Sequence, residues 1–217
     1  MIGAVVFDMD GVLLASEEVW DAVRERYVLE RGGRYDAEIQ RAMMGMSSPE
    51  WSLYMHETVG LPEAPEEINR LVVERMLERY ADRPPLIEGS VEAVRRLGAV
   101  WRLAIASSSN RELIEAVLRS TPLGAEFELA VSSEEVTRGK PAPEVYLEAA
   151  RRLGVDPGAC AAVEDSHNGI LAAKAAGMRT LAIPNSRFPP GEEGLAAADV
   201  VLASLDELTP AAVGPER

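Results

Sequence analysis

Ile2-Gly3-Ala4-Val5-Val6-Phe7-Asp8-Met9-Asp10-Gly11-Val12-Leu13 is the stretch from which the rest of the chain is read. Its first half, Ile2 to Phe7, is a continuous apolar run, the pattern of a strand buried on both faces. Its second half sets two carboxylates two residues apart, and in extended chain such residues point to the same side. Runs like the first half recur at 102–106, 129–131, 161–163, 180–183 and 200–202. Between them the apolar residues take helical spacing, as in Val91-Val94-Leu97, Leu113-Ile114-Val117-Leu118 and Val145-Ala149-Leu153. Gly98, Gly154 and Gly177 stand where a left-handed residue closes a helix. Buried strands alternating with helices predict an α/β fold, a Rossmann-like parallel sheet covered on both faces.

Residues 15–84 break this rhythm. They hold no strand-like run, only helical patterns around Val19-Trp20-Val23-Tyr27, 39–46, 51–58 and 68–80, and Arg83-Pro84-Pro85 leads back out. Ser16, followed by Glu17 and Glu18, reads as a helix start. The expected division is therefore a core of 1–14 and 85–217 with a helical insertion of 15–84 over the sheet's C-terminal edge. Residues 185–194 form a Pro/Gly-rich loop.

The 217 residues carry 22 Lys plus Arg against 36 Asp plus Glu, a formal charge of −14. Such a surface repels nucleic acid and anionic lipid. One cysteine, Cys160, allows no internal disulfide and no thiolate metal site. The N-terminus lacks the basic segment of a secretory signal, and no apolar run reaches the ~18 residues of a membrane span. The expectation is a soluble cytoplasmic protein, a monomer with a dimer as the alternative. Lysine occurs only at 140 and 174.

Four strand ends carry chemistry. Asp8 and Asp10 repel one another unless a cation lies between them or one is protonated, and a hard divalent cation such as Mg²⁺ meets that need. Ser107-Ser108-Ser109-Asn110 opens a helix, where hydroxyls and free N–H groups suit an anion, although a plain cap would look the same. In Gly139-Lys140-Pro141-Ala142-Pro143 the prolines hold a lysine able to meet a phosphate as a point charge. Glu164-Asp165-Ser166-His167-Asn168-Gly169 adds carboxylates for a cation, with Ser166 placed to cap a helix.

Asp-x-Asp, Ser, Lys and Glu-Asp in that order at the strand ends of one sheet resemble the haloacid dehalogenase superfamily over nearly the full chain. The branch it resembles holds β-phosphoglucomutase and sugar-phosphate phosphatases, through Asp8–Leu13, Ser16-Glu17, Gly139-Lys140-Pro141-x-Pro143 and Glu164-Asp165-Ser166-x-x-Gly169. The resemblance implies that 15–84 is an α-helical cap and that Asp8 is the nucleophile. Asp10 would be the acid and base. Mg²⁺ would be held by Asp8, the backbone carbonyl of Asp10, and Asp165, with Glu164 a ligand or a neighbour of one. Ser107, Ser108 and Lys140 would hold the phosphoryl group. It implies a Mg²⁺-dependent phosphomonoester hydrolase acting on a small phosphorylated metabolite, with a hexose-phosphate mutase as the alternative.

Departures favour hydrolysis. Ala15 replaces a common aspartate, and Trp20, Ser48 and Met76 stand where the mutase cap has a histidine, an arginine and a lysine. Arg41 and Arg75 are the cations that could reach the pocket and replace them. No lysine lies in 15–84, which removes the Schiff base that a phosphonate hydrolase of the superfamily needs. His56 reads as a packing histidine, whereas His167 is left open between substrate contact and packing. Met43, Met44, Met46, Trp51 and Met55 read as the core of the cap, or in part as an adaptable pocket lining.

Overall fold

β1 (Ala4–Phe7) is buried along its whole length. In the computed structural model, which describes residues 1–43, 46–185 and 189–214, it is flanked by β2 (Arg102–Ser107) and β4 (Cys160–Glu164). Met44 and residues 186–188 of the Pro/Gly-rich loop lie outside the described residues. With β3 (Leu129–Ser132), β5 (Arg179–Ala182) and the short β6 (Val200–Val201), the strands form one parallel sheet in the order β3-β2-β1-β4-β5-β6. The chain winds outward on one side of β1 and then on the other. The crevice between β1 and β4 is thus the topological switch point, where open α/β sheets bind ligands. Phe7 pairs with both Ile105 and Val163, so β1 stops one residue short of β4 and two short of β2, and the residues that follow the three strands share one edge.

The two faces differ in residue size. Ala4, Val6, Ala104, Ala106, Cys160 and Ala162 meet α7 (Glu144–Leu153) and α8 (His167–Ala175) in one apolar cluster. Small strand residues let those helices lie close. Val5, Phe7, Leu103, Ile105 and Val163 face the other way, with α5 (Ser90–Gly98) and α6 (Arg111–Ser120), and this cluster runs on into the insertion. The chain closes with α9 (Gly191–Ala197) and α10 (Pro210–Val213).

Among the described residues the insertion is four helices, α1 (Glu17–Leu29), α2 (Ala37–Met43), α3 (Ser48–Glu57) and α4 (Pro65–Asp82). Trp51, Met55, Ile68, Val72 and Met76 are fully buried among them. It joins the sheet through two adjacent chain crossings. Leu14 bridges Leu86, the Ala15 N–H donates to Pro85 O (2.8 Å), and the Ile87 N–H donates to Leu13 O (2.9 Å).

Two local expectations need correction. Gly98 is the last residue of α5 rather than a left-handed closure, and a Cβ there would stand 3.3 Å from Leu103 Cδ1, so packing calls for its smallness. Gly154 and Gly177 do take positive φ, +67° and +78°. Ser16 precedes α1, but its hydroxyl does not cap the helix; it goes to the site described next. α3 begins at Ser48 because the Glu50 carboxylate accepts from the Ser47 N–H (2.7 Å), a cap readable in Ser47-Ser48-Pro49-Glu50.

Among the described residues no helix is long and apolar enough to cross a membrane.

Candidate active site

Asp8 follows β1 directly, and its N–H donates to Val163 O (2.9 Å), which anchors the first carboxylate beside β4. Lys140, from the loop before α7, is buried with it. Its Nζ donates to Asp8 Oδ1 (2.7 Å) and to Glu164 Oε1 (2.5 Å). The Tyr146 hydroxyl donates to the same Glu164 oxygen (2.6 Å). The other oxygen of Glu164 accepts from the N–H groups of Asp165 and Ser166 and from the Ser166 hydroxyl. Both Glu164 oxygens are therefore engaged by protein donors, and the contact they make towards the site is the one that holds Lys140. Gly169 makes this possible, since a Cβ there would lie 1.9 Å from Glu164 Oε1.

Asp8, Glu164 and Asp165 each present a carboxylate oxygen within 4.8 Å of the others. Burial raises the Asp8 carboxyl to about 8; Lys140 opposes the rise, while Glu164 and Asp10 add to it. Asp165 is pushed well above the ordinary carboxylate range, by burial and then by Glu164, Asp8 and Glu17. Its Oδ1 is buried without a hydrogen-bond partner. Gly11, at φ +82°, leaves the space beside it: a Cβ there would fall 1.9 Å from Asp165 Oδ2. An all-oxygen donor set with an orphaned carboxylate oxygen, crowded enough that its members resist ionising together, fits a hard divalent cation.

The same crowding predicts a pH dependence. Stripped of divalent cations, the folded chain holds a proton on Asp8 that the unfolded chain, with its ordinary value of 3.8, has released. That stabilisation is complete below the unfolded value and gone once pH has passed the folded one, falling by about 1.4 kcal/mol per pH unit for each proton held. Thermal melting of chelator-treated protein should therefore drop between pH 5 and 8, and Mg²⁺ should raise it most at pH 8. A melting temperature insensitive to both would show that the carboxylates are not crowded as described.

Asp10 is turned from this cluster. It accepts from Ser16 Oγ (2.5 Å), Ser109 Oγ (2.6 Å) and, more distantly, Ser107 Oγ (3.4 Å). The helical insertion and the β2 end thus meet on one carboxylate. Ser107 is fully buried and also accepts from the Ser109 N–H (3.0 Å). Ser108 and Ser109 reach the cavity, which has a volume of about 500 Å³ and lies between the sheet edge and the insertion. Asp8, Asp10, Lys140 and Asp165 line it from the sheet side; Trp20, Arg24, Met43, Met46, Ser48 and Trp51 line it from the insertion.

Asn110 ties the two sides together. Its Oδ1 accepts from Ser48 Oγ (2.7 Å), and its Nδ2 donates to Glu134 (2.7 Å) and to Asn69 (3.2 Å). Ser48 lines the cavity, yet its hydroxyl is engaged in this contact. His167 also lines the cavity, and its Nδ1 is paired with Pro190 O (3.1 Å), so both of its open readings find support. His56 is paired with Leu61 O (3.0 Å), away from the cavity.

Two expectations about the insertion change. Arg75 lies against Tyr27 and pairs with Glu30 (2.6 Å), and Arg41 is exposed; neither lines the cavity. Arg24, which sequence reasoning passed over, does. The signal for it was its position four residues after Trp20, on the same helical face. Tyr146 and Ser109 were also missed as partners of Glu164 and Asp10, and neither carries a local signal of that role.

The model of the haloacid dehalogenase-like hydrolases matches residues 2–177. Hexitol phosphatase B of Escherichia coli (strain K12) is 35% identical over 216 residues, covering 95% of this chain and 94% of that protein. A phosphorylated carbohydrates phosphatase of Thermotoga maritima is 31% identical over 94% of this chain and 95% of its own length. The crystal structure of CbbY from Rhodobacter sphaeroides in complex with phosphate superposes with a TM-score of 0.85 at 28% identity, over 98% of this chain and 99% of that one. With the four strand-end motifs on one edge beneath a helical cap, these likenesses establish that the chain belongs to the haloacid dehalogenase-like hydrolases, in the branch of the sugar-phosphate phosphatases.

Proposed function

We propose that the chain releases inorganic phosphate from a small phosphorylated sugar or polyol, with Mg²⁺ as the bound cation and a phosphoryl group carried transiently on Asp8. The observation that carries this reading is the Asp8–Lys140 pair beside Asp165 on the floor of a covered cavity. In the same reading residues 15–84 are the cap, 1–14 and 85–217 the catalytic core, and the location is the cytoplasm.

An Asp8 carboxylate oxygen attacks phosphorus as the bond to the substrate alkoxide breaks, and Asp10 delivers a proton to that alkoxide. Asp10 then takes a proton from water, which attacks the same phosphorus. The bond to Asp8 breaks, phosphate leaves, and Asp10 is protonated for the next turnover. Lys140, Ser107 and Ser108 hold the phosphoryl oxygens; the 3.4 Å bond from Ser107 to Asp10 is long enough to yield to a phosphoryl oxygen. Asp8, Asp165 and the Asp10 carbonyl would hold Mg²⁺, which neutralises the paired carboxylates and draws charge from the phosphoryl group when bound. Ser16 and Ser109 orient the Asp10 carboxylate for both proton transfers.

Arg24 supplies a cation on the insertion side of the cavity, which a mutase would need, although Trp20, Ser48 and Met76 supply none. The similarity to two phosphatases supports hydrolysis. Phosphate release from a panel of sugar and polyol monophosphates should require Mg²⁺, vanish with chelator, and be inhibited by Ca²⁺, whose longer and looser coordination misplaces Asp8. Full activity in excess chelator would overturn the metal-dependent reading. With β-glucose 1-phosphate and a trace of the 1,6-bisphosphate, ³¹P NMR should show free phosphate rather than glucose 6-phosphate. Glucose 6-phosphate accumulating faster would replace the phosphatase by the mutase.

A further inference from the structure

Arg24 is an unusual cation for this protein. Many of the surface arginines meet carboxylates, as Arg70 meets Glu67 and Glu74, and Arg102 meets Glu128. Arg24 has no hydrogen bond or ion pair among the described residues, and its Nε is buried without a partner. Its guanidinium carbon lies 4.6 Å from the Trp20 ring centre and 4.8 Å from that of Trp51. The two indoles are themselves in contact, with centroids 6.0 Å apart. Asp21, one helical turn back, accepts from the Tyr35 hydroxyl (2.8 Å) instead. The group lines the same cavity as Asp8 and Lys140.

Physical chemistry says what such a group awaits. Arg24 is half-buried, and a guanidinium donor shielded from water without a partner is costly, which stacking on indole offsets only in part. Its donors lie in its plane, in a fork that matches the two oxygens of a carboxylate or phosphate. Lys140, the other cation lining the cavity among the described residues, is committed to Asp8 and Glu164. Asp10, Asp21 and Glu17 also line the cavity and would repel an anion placed at the insertion side unless Arg24 met it. Burial lowers Arg24 to about 10, which still leaves it charged at neutral pH.

We infer that Arg24 is a specificity-determining residue that receives a second anionic group, a carboxylate or a phosphate, at the end of the substrate remote from the reacting phosphoryl. This rests on the phosphatase reading above and narrows its substrate class from sugar or polyol monophosphates to phosphates that carry a distal oxyanion. The indoles of Trp20 and Trp51 hold the guanidinium in place for it, and the apolar Met43 and Met46 keep the surrounding wall free of competing anions.

Three six-carbon probes separate the possibilities: fructose 6-phosphate with a neutral end, 6-phosphogluconate with a carboxylate, and fructose 1,6-bisphosphate with a phosphate. Wild-type protein with Mg²⁺ should favour at least one of the anion-ended probes over fructose 6-phosphate by tenfold or more in kcat/KM, and which one identifies the anion. Arg24→Met should lower kcat/KM for that probe at least tenfold more than for fructose 6-phosphate, chiefly through KM, and Arg24→Lys should recover part of the difference. Equal losses on all three probes, or no wild-type preference, would overturn the assignment. Calorimetric binding of the same probes to Asp8→Asn protein, with and without Arg24→Met, separates this from the phosphatase reading. Anion-selective binding that depends on Arg24, without turnover of any probe by wild type, would sink hydrolysis and keep Arg24. Unselective binding would sink Arg24 whatever the turnover.

Discussion

Asp8→Asn should lower phosphate release by about four orders of magnitude or more while leaving the fold intact, the scale seen when a covalent nucleophile is removed. The amide has the shape of the carboxyl but neither the charge to attack phosphorus nor the means to carry the phosphoryl group. The fold should survive because the substitution removes a buried anion from a crowded place. Glu164 still accepts from Lys140 at 2.5 Å, and Asp165 loses one of the charges that raise it. Chelator-treated variant should therefore melt no lower than chelator-treated wild type at pH 8. Residual activity above about a tenth of wild type would leave only ~1.4 kcal/mol of barrier to Asp8, too little for the attacking group.

Lys140→Met should fail differently, losing activity by roughly three orders of magnitude and stability as well. Lys140 is 4% exposed, and its ammonium pairs with Asp8 and with Glu164. Burial alone would lower its pKa, but those two carboxylates override burial and hold it above the ordinary lysine value. Removing one partner of a buried pair typically costs about 3–5 kcal/mol, because the remaining charge stays buried. Here Asp8 is an acid, so it recovers by binding a proton. The sign follows: carboxyl values raised in the folded state favour folding at low pH, and the deficit should grow from pH 5 to 8. Melting curves at both pH values test this. A stability loss that is the same at both would show that Lys140 does not neutralise the cluster. Wild-type turnover by the variant would remove it from phosphoryl binding.

Much of the framework was readable because the central strands are covered on both faces, so 103–106 and 161–163 stay apolar at every position and stand out from helical spacing. Asp8, Lys140 and the Glu164-Asp165 pair were readable because each falls where such a strand, or the loop feeding a helix, reaches the ligand-binding edge. What local pattern could not supply is the choice among partners. Ser16 beside two glutamates looks like a cap, yet its hydroxyl is drawn to Asp10 by a fold that brings the first crossing chain over the β2 end. Tyr146 has the spacing of an ordinary core residue on α7, and only the position of Glu164 turns its hydroxyl into a contact of the site. Gly98 and Gly154 look alike at helix ends, although one answers to the Leu103 side chain and the other to a left-handed backbone. Arg24 has the appearance of a solvated helical charge until Trp20 and Trp51 are known to meet beneath it.

The bridge between Leu14 and Leu86 has a bearing on ancestry as well as on folding. Because the chain leaves and rejoins the sheet through two strands that already touch, the core meets the whole four-helix excursion as a closed loop, and loop closure grows only slowly with length. A graft of different size or helix count, spliced between those two leucines, would leave the hydrogen bonds that fix Asp8 and Lys140 undisturbed, since none of them involves the excursion. Asp8 and Lys140 are thus held by a different piece of chain from the one that closes the cavity, and the two pieces meet where Ser16 reaches Asp10. A lineage of such proteins could exchange the helices above the cavity for new metabolites as long as that serine stayed at the splice.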